Sequence, residues 1–150
     1  MSNRTFAIIK PDAVKNGYTG KIYDRIISAN FKILSAKLIK MSLIQAQGFY
    51  EIHKEKPFFD ELTQFMSSGQ SMVLALEKEN AVISWRKTIG ATNPEDADEG
   101  TIRFDYATSL GENAVHGSDS DENAKKEINF FFSGLELIWN KIIFLFLYLY

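Results

Sequence analysis

The chain has 150 residues, of which 45% are hydrophobic and 24% are charged, and its formal net charge is -2. This length suits a single domain, and the composition is typical of a globular protein, which excludes a disordered or fibrous chain. The near-neutral charge argues against a protein built mainly to bind nucleic acid. Because the sequence has no Cys and only 2 His, disulfides, a thiolate nucleophile and Cys-ligated zinc are excluded, and a multi-His metal site is not expected.

The first third of the chain alternates between strand and helix patterns. Phe6 begins a short apolar run that stops before Lys10 and Pro11, which predicts a buried strand. Thr19 is predicted to cap a helix that ends near Asn30. The apolar face of this helix holds Ile22, Ile26 and Ile27.

The next elements are a second strand and two helical stretches. Leu34, Ala36 and Leu38 alternate with polar residues, so they are predicted to share the buried face of a strand. A helical pattern over residues 44–54 stops before a proline, and the apolar spacing of residues 59–65 predicts another short helix.

A third strand and a capped helix precede a long irregular segment. The apolar run of residues 72–76 has the length of a strand, and Asn80 is expected to begin a helix that buries Trp85 and ends at Gly90. Residues 90–111 have loop composition, and so long an irregular segment in a small domain is usually functional.

The last elements are a short strand near residues 114–115 and a helix from about Ser120, with Ala124, Ile128 and Phe131 on one face. Without the two short helices, the order is strand, helix, strand, strand, helix, strand. This order predicts an α/β (α+β) fold, the ferredoxin-like βαββαβ sandwich, in which helices back a four-stranded antiparallel sheet.

The clearest chemical signal lies between the last strand and the last helix. His116 is followed by Gly117, Ser118 and Asp119, so its imidazole is expected beside backbone donors and a helix N-terminus, where phosphate binds. A neutral imidazole can act as a general base or as a nucleophile near pH 7. The alternative is a loop histidine that only packs or caps.

A carboxylate on the last helix can support this histidine. Glu127 and Asn123 are one helical turn apart and share a face. If that face looks toward His116, Glu127 can orient the ring. The alternative is a solvated charge beside Lys125 and Lys126.

Several cations and a hydroxyl group could bind a polyphosphate. Lys10 follows the first strand directly, and Arg86, Thr92 and Arg103 lie in the second half of the chain. Each is an ordinary surface residue in isolation, but together they supply the charge and hydrogen-bond donors that phosphates need.

The motif Asn113-x-x-His116-Gly117-Ser118-Asp119 resembles the active-site signature of the nucleoside diphosphate kinases. The likeness extends from Arg4 to about Phe132. Further motifs follow in family order, namely Lys10-Pro11-Asp12, Tyr50-x-x-His53, Pro57-Phe58-Phe59, Gly90-Ala-Thr-Asn-Pro94 and Gly100-Thr-Ile-Arg103.

The resemblance implies a kinase that transfers the γ-phosphate of a nucleoside triphosphate, typically ATP, to a nucleoside diphosphate by a ping-pong route. It implies that His116 is phosphorylated through Nδ1 and that Glu127 and Ser118 orient its ring. It implies a group around the sugar 3′-hydroxyl and the transferred phosphate, made of Lys10, Tyr50, Arg103 and Asn113. It also implies phosphate contacts from His53, Arg86 and Thr92, with Phe58 stacked on the base and Leu110 on the opposite face of the base.

The same resemblance implies the cofactor and the partners. Mg²⁺ would be carried by the nucleotide phosphates rather than by protein side chains. Stacking on Phe58 predicts low base specificity, because every base has a π-face. A homo-oligomer, either a tetramer or a hexamer, is expected.

Two features depart from the family pattern. Phe104 follows Arg103 at a position where small residues are common. Residues 135–150 form an apolar tail beyond a kinase-like domain at 1–134. Left exposed, residues 142–150 would favour strand pairing between molecules, so we expect the tail to pack on its own subunit or across an oligomer interface.

Three other functions are compatible with parts of the sequence. A non-enzymatic binding module of the same fold would be expected to lack the nucleophile or its supports, whereas His116 and Glu127 are both present. A nucleic-acid-binding regulator conflicts with the net charge of -2. A membrane-anchored form conflicts with the length of residues 142–150, since a membrane helix needs about 20 residues. With no secretory signal at the start, a cytoplasmic protein is expected.

Overall fold

The structure, a computed structural model, describes residues 3–137. These residues form a four-stranded sheet in the order β2-β3-β1-β4. The strands are β1 (Arg4–Ile9), β2 (Lys32–Ile39), β3 (Ser71–Glu77) and β4 (Val115–Gly117). Each neighbouring pair is antiparallel, as the ferredoxin-like prediction requires. The apolar run at residues 142–150 lies outside the described residues.

Seven helices connect these strands within residues 3–137. They are α1 (Pro11–Lys15), α2 (Thr19–Ser28), α3 (Leu43–Phe49), α4 (Phe59–Ser68), α5 (Ala81–Ile89), α6 (Ile102–Tyr106) and α7 (Asp121–Phe131). Short 3-10 turns occur at Glu51–His53, Pro94–Asp96 and Gly134–Glu136. No helix in this part of the chain is long and apolar enough to cross a membrane.

The sheet separates two apolar cores, because successive side chains of a strand point to opposite faces. Ala7 and Ile9 of β1 face the core that α2 and α5 cover, where Trp85 is fully buried. Phe6 and Ile8 face the core that α3, α4 and α7 cover. Both faces of β1 are therefore buried, which explains its continuous apolar sequence.

Strand β2 differs from its prediction. A register shift between Ile33 and Ser35 marks a β-bulge, where one extra residue reverses the alternation of side chains. Leu34 is buried in the second core, whereas Leu38 is 53% exposed. The prediction that Leu34, Ala36 and Leu38 share a buried face is therefore wrong.

Three helix predictions also need correction. Helix α2 begins at Thr19, but Tyr18 is the N-cap residue and no side chain caps this end. The helical stretch predicted over residues 44–54 is divided into α3 and a 3-10 turn at Tyr50. The segment 90–111, predicted as irregular, contains α6, whose burial of Ile102 and Arg103 depends on tertiary packing.

The predicted end of α5 and start of α7 are confirmed, whereas β4 is displaced from the predicted strand at 114–115 and includes His116 and Gly117. Helix α5 ends at Gly90, which has a φ of +85°. The hydroxyl of Ser120 accepts a hydrogen bond from the Asn123 backbone N–H at 3.1 Å and caps α7. Strand β4 and the start of α7 thus fix both ends of the segment that follows His116.

Candidate active site

His116 lies on the edge strand β4, beside the inner strand β1. Its backbone lies opposite Ile8 of β1, and its carbonyl oxygen accepts a hydrogen bond from Trp85 Nε1 at 3.1 Å. A Cβ at Gly117 would lie 2.5 Å from Cδ1 of Trp85, so the indole fits only against glycine. The position of His116 is therefore fixed from the core side of the sheet.

The imidazole of His116 lies at the end of a chain of hydrogen bonds. Its Nε2 is 3.1 Å from Oε1 of Glu127, and Ser118 Oγ donates to Oε2 of the same carboxylate at 2.5 Å. Ser118 Oγ also accepts from the backbone N–H of Phe6 at 3.1 Å. The Glu127 side chain is only 19% exposed, so the alternative of a solvated surface charge does not fit.

Aromatic rings form one wall of the site around His116. The ring centroids of Phe6, Phe49 and Tyr50 lie 6.1, 5.7 and 6.3 Å from that of the imidazole. Burial, with a smaller contribution from the negative charge of Glu127, raises the pKa of Tyr50. The Tyr50 phenol therefore keeps its proton, and its buried oxygen makes no hydrogen bond within the described residues.

A buried lysine and an asparagine link the first strand to the loop before β4. Lys10 Nζ donates to Oδ1 of Asn113 at 2.6 Å, and Asn113 Nδ2 donates to the carbonyl of Thr92 at 3.1 Å. Burial and the nearby charge of Arg103 lower the pKa of Lys10 to about 8, while Asp12 opposes this change. The Lys10 ammonium is thus poorly compensated within the chain and favours an added anion.

Arg103 on α6 is held by backbone oxygens and not by a carboxylate. Its guanidinium donates to the carbonyls of Gly90 at 2.9 Å and Val115 at 3.0 Å. Burial, and then the positive charge of Arg86, lower its pKa to about 10. The charge of Arg86 therefore disfavours the charged form of Arg103, and a nearby anion would offset this repulsion.

The remaining predicted nucleotide-binding residues lie toward the surface. The His53 ring is 6.3 Å from the Tyr50 ring and 5.8 Å from the Phe58 ring, measured between centroids. Phe58 and Leu110 are 47% and 62% exposed, and they remain available for contact with a ligand. This group is more exposed than the half-buried His116 and the buried Lys10 and Arg103.

The side-chain composition of the site bears on how a metal ion could bind. Within residues 3–137, no group of three or more His, Cys, Asp or Glu side chains could hold a metal ion. The central charged groups are Lys10 and Arg103, which repel a cation, together with the hydrogen-bonded carboxylate of Glu127. This donor set fits a divalent cation that is held by phosphates and not by a protein cage.

The sequence model of the family described as "Nucleoside diphosphate kinase" matches residues 3–137. The chain belongs to the nucleoside diphosphate kinase family. It is therefore a phosphotransferase that moves phosphate between nucleotides. The match covers every strand of the sheet and all the residues of the site described above.

Relatives support the same assignment over most of the chain. The nucleoside diphosphate kinases of Geotalea uraniireducens and Flavobacterium psychrophilum are 57% and 58% identical over 135 residues. These alignments cover 90% of this chain and 98% and 97% of the respective relatives.

Solved nucleoside diphosphate kinases have the same fold. The Aquifex aeolicus enzyme in an orthorhombic crystal form is 45% identical with a TM-score of 0.89, covering 91% of this chain and 99% of that one. A halophilic enzyme from Halobacterium salinarum, in complex with CDP, is 36% identical with a TM-score of 0.88, covering 99% of both chains.

The structure adds residues for which the sequence predicted no role at the site. The backbone of Phe6 binds Ser118, and the indole of Trp85 binds the His116 carbonyl. Asp12 accepts a hydrogen bond from the Ala114 N–H at 2.9 Å. Only the position of Asp12 within the Lys10-Pro11-Asp12 motif could have suggested this contact.

Proposed function

We propose that this nucleoside diphosphate kinase works through a phosphohistidine at His116. The observation that carries the proposal is the pair of hydrogen bonds joining His116 Nε2 and Ser118 Oγ to the Glu127 carboxylate. With its proton on Nε2, the ring donates to Glu127 and keeps a lone pair on Nδ1, which is the attacking atom. As positive charge develops on the ring, the carboxylate stabilises it.

The reaction has two half-steps at one site. In the first, Nδ1 of His116 forms a bond to the γ-phosphorus of ATP, the bond to the β–γ bridging oxygen breaks, and ADP leaves. In the second, the terminal β-phosphate oxygen of a nucleoside diphosphate attacks the phosphohistidine, which restores the neutral ring. One set of contacts therefore serves both the donor and the acceptor.

The buried polar groups stabilise the phosphoryl group in transit. Phosphoryl transfer passes through a loose transition state, so the protein contributes mainly positioning and compensation of charge. We assign this role and the contact with the sugar 3′-hydroxyl to a group made of Lys10, Tyr50, Arg103 and Asn113. The lowered pKa values of Lys10 and Arg103 support this assignment, because a nearby anion would stabilise the charged form of each side chain.

The more exposed residues of the site bind the rest of the nucleotide. We assign the phosphates to His53, Arg86 and Thr92, and the base to Phe58 and Leu110. Bound with the nucleotide, Mg²⁺ would neutralise phosphate charge, and the cationic Lys10 and Arg103 at the site fit a metal ion that arrives with the phosphates. The exposed ring of Phe58 supports low base specificity, because stacking does not distinguish the bases strongly.

We also propose that the protein works as a homo-oligomer, a tetramer or a hexamer. Large apolar side chains that are exposed in the single chain support this, among them Ile27 at 53%, Ile44 at 80% and Ile83 at 66%. In this proposal residues 1–134 form the kinase domain, and the tail 135–150 packs on that domain or on a neighbouring subunit.

The test of the phosphohistidine uses purified protein, γ-labelled ATP and Mg²⁺ without an acceptor. The protein is expected to take up label that is labile in acid and stable in base, and GDP is expected to discharge it as GTP. His116→Ala should abolish the uptake. Failure of the wild-type protein to take up label while it still binds nucleotide would favour the non-enzymatic binding module.

His53→Ala is the matched control, because the chain contains only 2 His. This variant is expected to bind nucleotide less tightly but to accept label at saturating ATP. Label that disappears with His53→Ala and persists with His116→Ala would contradict the assignment of the nucleophile.

A further inference from the structure

The residue that precedes β4 has an unusual backbone conformation. Ala114 has a φ of +64°, and the N–H of Val115 donates to the carbonyl of Asn113 at 2.7 Å. A hydrogen bond across a single central residue at positive φ defines a strained form of γ-turn. For a residue with a Cβ, such a conformation is unfavourable and persists only where neighbouring groups hold it.

The segment that follows β1 forms hydrogen bonds with both the N–H and the carbonyl of Ala114, and so holds the turn. The carboxylate of Asp12 accepts from the Ala114 N–H at 2.9 Å, and the backbone N–H of Lys10 donates to the Ala114 carbonyl at 2.9 Å. Rotation of Ala114 toward negative φ would turn its N–H away from the carboxylate. Asp12 is 7% exposed, so water does not readily replace its hydrogen bond.

The turn separates two residues of the active site. On one side, Asn113 binds the ammonium of Lys10 through Oδ1. On the other side, Val115 accepts from Arg103, and the next residue is His116. A change at Ala114 would therefore alter the angle between the Asn113 side chain and the strand that carries the imidazole.

We propose that Asp12 is a positioning residue. It holds Ala114 in the strained turn and thereby fixes the relative positions of Asn113 and His116 for phosphoryl transfer. This inference rests on the proposed role of His116 as the nucleophile. It assigns Asp12 no contact with the nucleotide: Oδ2 accepts from the Ala114 N–H, and Oδ1 is buried without a hydrogen-bond partner within the described residues. A displacement of about 1 Å at a reacting group can reduce a rate by about 100-fold.

Two substitutions separate the hydrogen bond of Asp12 from its charge. Asp12→Ala removes both, whereas Asp12→Asn keeps an oxygen that can accept from the Ala114 N–H. Asp12→Ala is expected to slow labelling of His116 at saturating ATP by about 10- to 100-fold, with ADP affinity changed much less. Asp12→Asn is expected to keep most of the rate at pH 7. Equal losses in both variants would overturn the positioning role and favour an effect of charge on Lys10.

The strained turn offers a rescue experiment. Ala114→Gly removes the Cβ, and glycine adopts positive φ without a steric penalty. Asp12→Ala should therefore reduce the labelling rate less in the Ala114→Gly background than in the wild-type background. An equal reduction in both backgrounds would overturn the inference. Amide hydrogen exchange at Ala114 should become faster in Asp12→Ala, and unchanged exchange would also contradict the proposal.

The controls separate this inference from the proposed function. Asp24→Ala removes an exposed carboxylate from α2 and is expected to label at the wild-type rate. If the wild-type protein labels His116 and Asp12→Ala labels equally fast, the positioning role fails and the phosphohistidine stands. If the wild-type protein takes up no label, the proposed function fails, and the exchange rate at Ala114 still shows whether Asp12 holds the turn.

Discussion

At the scale of single residues, the site combines groups whose charge or proton is controlled by burial. The Glu127 carboxylate is held between Ser118 and His116, while Lys10 is buried beside Arg103. These groups are not arranged for stability of the free protein, since a buried ammonium near a guanidinium is unfavourable. The arrangement becomes favourable when a phosphate group lies beside these cations. A phosphotransferase needs interactions of this kind, which are stronger with the phosphoryl group present than in the free enzyme.

Glu127→Gln tests the orientation of the imidazole. Gln keeps the size of the side chain but loses the negative charge that stabilises the ring as it is phosphorylated. The rate of labelling is expected to fall by about 10- to 100-fold, and rapid-quench measurement with labelled ATP would show it. Glu122→Gln on the same helix is the control, because its side chain is 78% exposed. Equal rates in the two variants would contradict the role of Glu127.

The pH dependence of the reaction tests Lys10. Its pKa in the folded free enzyme is lowered to about 8, by burial first and then by Arg103. The lysine is charged below this pH and loses its proton as the pH rises through it. Since kcat/KM reports the free enzyme, it should fall on the alkaline side with a midpoint near that value. A profile that stays flat to pH 10 would contradict the requirement for a charged Lys10.

The same shift has a consequence for stability. The pKa of Lys10 is lower in the folded chain than the ordinary lysine value of 10.5. Between these two values the unfolded chain binds more protons, so the contribution of Lys10 to the free energy of unfolding rises with pH in this window. The buried lysine is thus least favourable to folding at the pH at which its charge is useful.

At the scale of elements, close contacts between β4, α5 and α7 set the position of the site. The indole of Trp85 on α5 packs against Gly117 and binds the His116 carbonyl, and Ser120 caps the helix that carries Glu127. A strand, a helix end and a helix start therefore converge within a few residues. Because these elements pack on the buried core, they hold the backbone that carries the imidazole in one position.

Gly117→Ala tests the contact between β4 and α5. The added Cβ would lie 2.5 Å from Trp85 Cδ1 and 2.8 Å from Nε1, so the indole or the strand must move. Overpacking of this kind is expected to lower the free energy of unfolding by about 1–3 kcal/mol and to reduce the labelling rate. Denaturant unfolding and rapid-quench labelling would measure the two effects.

Gly20→Ala is the control for this substitution, because a Cβ at Gly20 in α2 meets nothing within 4 Å. It is expected to leave stability unchanged or to raise it by about 0.4–1 kcal/mol. If Gly117→Ala is as stable and as active as Gly20→Ala, the contact with Trp85 does not constrain the site.

At the scale of the whole molecule, the sheet has an apolar core on each face, and several large apolar side chains remain exposed at the surface of the chain. Leu38 on the edge strand β2 and Ile27 on α2 are each 53% exposed. Exposed apolar area of this kind is typical of surfaces that pack in an assembly. We expect the tail to contribute to the same burial, either within one subunit or between subunits.

Deletion of residues 142–150 tests the role of the tail. Loss of its apolar surface should lower the melting temperature or reduce the size of the assembly, and each kcal/mol lost corresponds to about 2–4 °C for a domain of roughly this size. Differential scanning calorimetry and size-exclusion chromatography with light scattering would measure both. If neither changes, the tail is not packed on the enzyme.

The amino-acid sequence by itself determined the order of the four strands, the end of one helix at Gly90 and the start of another at Ser120. It could do so because periodicity, capping and motif spacing are local properties of the chain. The resemblance then supplied roles that isolated residues such as Lys10 do not reveal.

Only the tertiary structure decided the features that depend on contacts between distant segments. The bulge at Leu34 reverses the faces of β2, and α6 is stabilised by packing, although its sequence has loop composition. The contact of Asp12 with Ala114 joins residues 102 positions apart. No local pattern encodes such features, because each forms only when segments distant in the sequence pack together, as when the sheet brings the end of β1 against the start of β4.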